Sequence, residues 1–176
     1  MKTNVALIGF MGVGKTAVGK ALARRLDKKF VELDSLIGKK AGKPISEIFQ
    51  QDGEIAFREL EIEVTQEVAQ RKNQVIACGG GVVLNKINID RLRKDSILVY
   101  LTAPPEIILK RVSIGRRERP LLKTSNQALT IQELMRSRKP FYEQAADIKI
   151  DTSGIDINSV TTQIIAKIQD NESNNT

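Results

Sequence analysis

A three-layer α/β/α fold around a central sheet of five parallel strands is predicted by three features of this chain. Five short apolar runs alternate with stretches of helical periodicity along its 176 residues. A glycine-rich stretch, GFMGVGKT at residues 9–16, separates the first run from the first helical pattern. Polar side chains with chemistry of their own stand at or just after the ends of the runs, where an open parallel sheet forms its ligand crevice.

The elements follow in order. Val5, Ala6, Leu7 and Ile8 read as a buried first strand, and Val18, Ala21, Leu22 and Leu26 recur at helical spacing behind the glycine-rich turn. Residues 30–34 read as a second strand ending in acids. The helix after it carries Leu36 and Ile37 and stops at the breaker Gly42-Lys43-Pro44. Residues 45–70 form a long helical pattern interrupted at Asp52-Gly53. Residues 75–78 are the third strand and end in Gly79-Gly80-Gly81. A helix around residues 89–93 leads to a fourth strand over residues 97–101. Pro105 opens a further helix, with Ile107, Ile108 and Val112 on its apolar side. A helix over residues 127–145 is expected to be disturbed at Pro140, and residues 147–151 alternate as a last strand. The final helix covers roughly residues 157–168, and the polar tail 171–176 is expected to be disordered after a single domain of residues 1–170.

Composition narrows the class. Hydrophobic residues make up 41% and charged residues 28%, the balance of a soluble globular protein. Aromatics are only 4% and Trp is absent, so the core is expected to be aliphatic. No apolar run is long enough for a membrane span and no signal-peptide pattern opens the chain, so a cytoplasmic protein is expected. The single cysteine, Cys78, excludes an internal disulfide, and one Cys with no His leaves no ligand set for structural zinc. Cys78 itself reads as a small buried apolar side chain. The formal charge of +7 suits either nucleic acid or small anionic substrates. Six basic residues against Glu118 alone crowd residues 110–123, without interleaved aromatics for stacking on bases. That distribution favours small anions, with a merely solvated basic surface as the bland alternative.

Strand, glycine-rich turn and helix in this order form the context of a phosphate-binding P-loop. Gly9, Gly12 and Gly14 carry no Cβ, so their backbone N–H groups can curl around an anion, and the helix opening near Lys15 adds its positive dipole end. Residues Gly12, Val13, Gly14, Lys15, Thr16 and Ala17 are the predicted ATP contacts, with Lys15 on the β- and γ-phosphates and Thr16 a direct ligand of Mg2+. The alternative is a tight turn whose Lys and Thr are incidental.

Further candidates lie beyond the turn. Asp34, at a strand end, suits a base for an attacking hydroxyl, or alternatively the cap of a helix starting at Ser35. Glu32, two residues earlier on an extended strand, points the same way and suits a water-mediated contact to the metal, or is an ordinary surface acid. Arg58 has Glu54 and Glu61 at helical spacing and so reads either as a plain salt bridge or as a clamp for a substrate carboxylate. Gly79-Gly80-Gly81 suits close backbone approach of a substrate, or is a flexible turn. Arg119-Pro120-Leu121-Leu122 ends the basic stretch, which reads as a mobile lid over residues 113–125. Arg138 is a second candidate anion clamp, or a solvated helix residue.

Together these residues are in the order and spacing of the shikimate kinases, which the chain resembles over residues 4–152. The triple glycine and the RPLL stretch are the most discriminating features; the P-loop is shared by many kinases. The resemblance implies a P-loop kinase of the nucleoside monophosphate kinase-like structural family. It would transfer the ATP γ-phosphate to the 3-hydroxyl of shikimate in chorismate and aromatic amino acid biosynthesis. It implies Lys15, Asp34 and Arg119 as catalytic residues, Asp34, Arg58, Gly80, Gly81 and Arg138 as shikimate contacts, and a substrate-binding region over about residues 34–62. Arg111 and Thr152 are assigned with Arg119 to the ATP side. Mg2+, ATP and shikimate are the implied small-molecule partners of a monomer with neither nucleic-acid nor membrane partners. The chain departs from the family at Glu32, where many members carry Asp, and at Ala77-Cys78, where a Ser or Thr precedes the glycines. A nucleoside monophosphate kinase, a gluconate-type kinase and a nucleotide-dependent RNA-binding protein are the competing readings.

Overall fold

The computed structural model describes residues 2–115 and 118–174. Five strands form one all-parallel sheet in the order β2-β3-β1-β4-β5: β1 Asn4–Ile8, β2 Lys29–Glu32, β3 Gln74–Ala77, β4 Ser96–Thr102 and β5 Ile148–Asp151. Eight helices connect and cover them among the described residues: α1 Lys15–Arg25, α2 Leu33–Ala41, α3 Ile45–Gln51, α4 Gly53–Ala69, α5 Lys86–Asp95, α6 Pro105–Ile114, α7 Gln127–Ala145 and α8 Ile157–Asn174. None of the described helices is long and apolar enough to cross a membrane.

Strand alternation divides the core into two halves. Val5 and Leu7 of β1, with Val99 and Leu101 of β4, face one side, where they meet Val18 and Leu22 of α1 and Ile164 of α8. Ala6 and Ile8, with Leu98 and Tyr100, face the other, against Ile37 of α2, Val64 of α4 and Leu92 of α5. Both faces of β1 are therefore buried, and each large aliphatic side chain there contributes about 1.5–3 kcal/mol. The chain crosses from β1 over β3 to β2, then returns to β3, and later leaves β1 on its other side at β4. This reversal opens the crevice at the carboxyl end of β1, immediately before the glycine-rich turn.

The structure corrects several local expectations. Strand β2 ends at Glu32, whose register partner is Ala77 at the end of β3. Leu33 is already helical and fully buried, so Asp34 lies in the first turn of α2 rather than at a strand end. Ser35 does not start the helix, Asp34 does not cap it, and the strand alternation expected to align Glu32 with Asp34 does not operate. Helix α7 runs unbroken through Pro140. Pro140 and Arg136, whose carbonyl loses its usual N–H partner, are both exposed, so water can take the place of that bond. Helix α8 continues to Asn174, with the Ser173 hydroxyl bonded to the Gln169 carbonyl at 2.9 Å, and so enters the tail expected to be disordered. Residues 175 and 176 lie outside the described residues, as do Arg116 and Arg117 of the expected lid. The break at Asp52-Gly53 falls where expected, with Gly53 at φ 84°.

Candidate active site

The turn after β1 takes a path that L side chains rarely allow. Gly9, Gly12 and Gly14 have φ of 148°, 81° and 100°, and Gly14 is the N-cap of α1. No acidic residue occupies the first turn of α1, which leaves its N-terminal field available to an anion. The Lys15 ammonium folds over the turn and donates to the Gly9 and Phe10 carbonyls at 2.6 and 3.0 Å. The Thr16 hydroxyl donates to Glu32 Oε1 at 2.6 Å, and Ser35 donates to Glu32 Oε2 at 3.0 Å. The end of β2 thus holds a carboxylate against the first turn of α1.

The turn is braced from α6 and the β5 edge of the sheet. The Arg111 guanidinium on α6 donates to the Gly12 and Val13 carbonyls at 3.3 and 3.2 Å, and to Thr152 Oγ1 at 3.1 Å. Thr152, buried just after β5, donates in turn to the Thr102 carbonyl at 3.0 Å. Val13 and Thr152 are buried and stand behind the cleft rather than on its wall.

On the opposite wall, the two readings of Arg58 coexist. It pairs with Glu61 at 2.9 Å and with Glu54 at 3.2 Å, as helical spacing predicts. Its guanidinium also lies flat against Gly81, where a Cβ would fall 2.6 Å from Arg58 Cζ. A Cβ on Gly79 would lie 3.0 Å from both Asp34 Oδ1 and Glu61 Oε2. None of the three has a positive φ, so what distinguishes Gly79 and Gly81 is space, tight at Gly79 and taken up by the Arg58 guanidinium at Gly81, whereas a Cβ at Gly80 would make only ordinary contacts. Arg138 of α7 is also buried, with Nη1 3.5 Å from the Cβ position of Gly80 and Cζ 5.9 Å from the Phe10 ring centre.

Glu61 is the residue that sequence reasoning left as a mere ion-pair partner. Its side chain is fully buried, and burial pushes its carboxyl above the usual range, against the pull of the Arg58 guanidinium. Burial likewise lifts the Cys78 thiol to about 12, in keeping with an inert, apolar role. The Tyr142 hydroxyl donates to the Gly80 carbonyl. The tilted rings of Phe49 and Phe57, 4.8 Å apart, add an apolar wall.

One cleft of about 360 Å³ gathers Gly12, Gly14, Lys15, Thr16, Ala17, Glu32, Asp34, Arg58, Gly80, Gly81, Arg111, Arg119 and Arg138. Arg119, with Pro120 and Leu121, covers one side, and Leu122 anchors that segment in the core. Residues from the ends of β1, β2 and β3 meet residues of α4, α6 and α7 here, as the crevice of a parallel sheet requires. Among the described residues no cluster of three or more His, Cys, Asp or Glu could hold a metal alone. The hard oxygens of Thr16 and Glu32 suit a small divalent ion that takes its remaining ligands from water and phosphate.

The family model for shikimate kinase matches residues 11–169. A shikimate kinase of Caldanaerobacter subterraneus subsp. tengcongensis is 44% identical over 162 residues, covering 92% of this chain and 94% of the relative. That of Geobacter sulfurreducens is 44% identical over 169 residues, covering 96% and 92%. Among solved structures, shikimate kinase from Acinetobacter baumannii in complex with shikimate superposes with a TM-score of 0.92 at 35% identity, covering 97% of this chain and 95% of that one. The cleft, the sheet order and these matches agree, and the chain belongs to the shikimate kinase family.

Proposed function

We propose that this protein transfers the γ-phosphoryl group of ATP to the 3-hydroxyl of shikimate, forming shikimate 3-phosphate and ADP. The observation that carries the reading is one cleft joining a phosphate-binding turn to two arginines, the half-buried Arg58 and the buried Arg138, beside a strip of glycines. A small polyol acid needs that combination: two cations for its carboxylate, backbone room for its ring, and a carboxylate near its hydroxyls.

Each residue then has a task. Arg58 and Arg138 hold the acceptor carboxylate, with Gly80 and Gly81 beneath the ring. Asp34 accepts the proton of the 3-hydroxyl as that oxygen bonds to the γ-phosphorus and the bond to the β,γ-bridging oxygen breaks. Lys15 and the N–H groups of residues 12–17 hold the transferring and leaving phosphates. Arg119, on a lid over residues 113–125 that closes on the nucleotide, stabilises the charge that develops. Arg111 and Thr152 shape the adenine side by bracing the turn. Mg2+, when bound, neutralises charge on the β- and γ-phosphates. Thr16 would hold it directly and Glu32 through water, because the Thr16 proton already points at Glu32 and leaves the oxygen lone pairs available. The setting we propose is a cytoplasmic monomer serving aromatic amino acid biosynthesis.

The test is ADP release from MgATP with shikimate, gluconate, AMP and CMP as separate acceptors. Turnover with shikimate alone is expected, and in Asp34→Asn that turnover falls about 10²–10⁴-fold while ATP binding is retained. Turnover with another acceptor and none with shikimate overturns the substrate assignment. Near-normal turnover in Asp34→Asn removes the base.

A further inference from the structure

Two adjacent glycines in a binding strip present a physical difficulty. Without a Cβ, the peptide between them rotates at little cost, so a donor aimed from it is poorly fixed unless something else holds it. In this protein every carbonyl of the triple glycine is held. The Gly79 carbonyl accepts from Val82 N–H at 3.2 Å, and the Gly81 carbonyl from Leu84 N–H at 3.0 Å. Both of those bonds are local turns within the strip's own continuation. The Gly80 carbonyl is held differently, by the hydroxyl of Tyr142, 62 residues away on α7.

We propose that Tyr142 is a positioning residue for acceptor binding, which fixes the Gly80–Gly81 peptide plane and locks it to the helix that carries Arg138. The inference rests on the shikimate reading of the cleft. A peptide unit is planar and trans, so the Gly80 carbonyl and the Gly81 N–H point in opposite directions. Drawing the carbonyl to α7 sets the direction of the Gly81 N–H, and Gly81 lines the cleft. Arg138 lies one helical turn before Tyr142 on the same helix and is buried as well, and its positive charge acts on the phenol. One side chain thus sets the relative position of the backbone donor and the cation that both serve the acceptor.

The anchor is built to stay in place. Tyr142 is 1% exposed, and its ring stacks on Tyr100 of β4 with centres 5.0 Å apart and planes inclined by 20°. Burial pushes the phenol well above its usual range, against the pull of Arg138, so it remains a neutral donor at any working pH.

The experiment is steady-state kinetics of Tyr142→Phe beside the wild type, with Tyr100→Phe as control. Tyr142→Phe keeps the stacked ring and removes only the clamp. The shikimate KM is expected to rise about 10-fold, which corresponds to losing one buried hydrogen bond. The ATP KM is expected to be unchanged and kcat to fall less than about 3-fold. Tyr100→Phe removes a hydroxyl from the same stacked pair and is expected to leave all three constants alone. A Tyr142→Phe variant with a lower Tm but an unaltered shikimate KM shows a purely structural tyrosine and overturns the proposal. Equal rises in both KM values overturn it too. A wild type that does not phosphorylate shikimate at all sinks the functional reading first, and this inference with it.

Discussion

At the scale of single residues, the site is governed by what is buried together. Glu61 is fully buried among Arg58, Asp34 and Arg138, and burial dominates its ionisation, lifting the carboxyl above the ordinary value of 4.5. The folded protein therefore binds this proton more tightly than the unfolded chain does. The stability Glu61 contributes is full below the ordinary carboxylate pKa and is lost as pH rises through the higher folded value. Glu61→Gln removes this titration, so the Tm of the variant minus that of the wild type should increase as pH is raised across that window. Thermal melts of both proteins from acid to neutral pH check this; a flat or falling difference contradicts it. The residue shows how far the sequence reached. Lys15, Thr16, Asp34, Arg58 and Arg138 were legible because each carries a reactive group in a recognisable motif. Glu61 and Tyr142 were not, because their importance comes from burial and from contacts made by distant elements. Helical spacing alone describes Glu61 as a surface ion-pair partner.

At the scale of elements, strand and helix order was legible from periodicity, and boundaries were legible only where a special residue marked them. Gly53 at positive φ marks the α3–α4 break in sequence and structure alike. The end of β2 carries no such mark: the acid-ended run keeps strand-like composition, and only the loss of a pairing partner beyond Ala77 stops the strand at Glu32. The glycine strip after β3 is an element of the same kind, its role visible only against its neighbour. Strand β3 and helix α4 are joined at Gly81 by the Arg58 guanidinium, with no room for a methyl group between them. In Gly81→Ala the guanidinium must yield, because it is the far end of a flexible side chain while the backbone is held by the Leu84 N–H. A shift on the order of 1 Å is enough to spoil an oriented clamp. Gly81→Ala should therefore raise the shikimate KM about 10-fold or more and leave the ATP KM unchanged. Acceptor and nucleotide saturation curves on one preparation decide it, and an unaltered shikimate KM would show that the strip needs no such space.

At the scale of the whole molecule, the excess of basic residues, 28 against 21 acidic, acts on folding and on ligand capture with opposite signs. Five cations, Lys15, Arg58, Arg111, Arg119 and Arg138, line one cleft against Glu32, Asp34, Glu61 and Glu118, while both ligands of the proposed reaction are anions. A cleft with a positive surplus and low-dielectric walls attracts those anions from a distance, and salt weakens the attraction as the Debye length falls from about 30 Å at 0.01 M to about 8 Å at 0.15 M. The same net charge of +7 repels itself within the folded chain, and salt relieves that strain. Raising ionic strength across this range should thus lower kcat/KM for shikimate several-fold and move kcat little, while Tm holds or rises. A merely solvated basic surface would leave kcat/KM insensitive, because charges spread evenly around the molecule do not focus a field at one cleft. Loss of kcat/KM together with loss of Tm would mean instead that salt breaks ion pairs the fold depends on, and the cluster of cations in the cleft would then have to be read as structural.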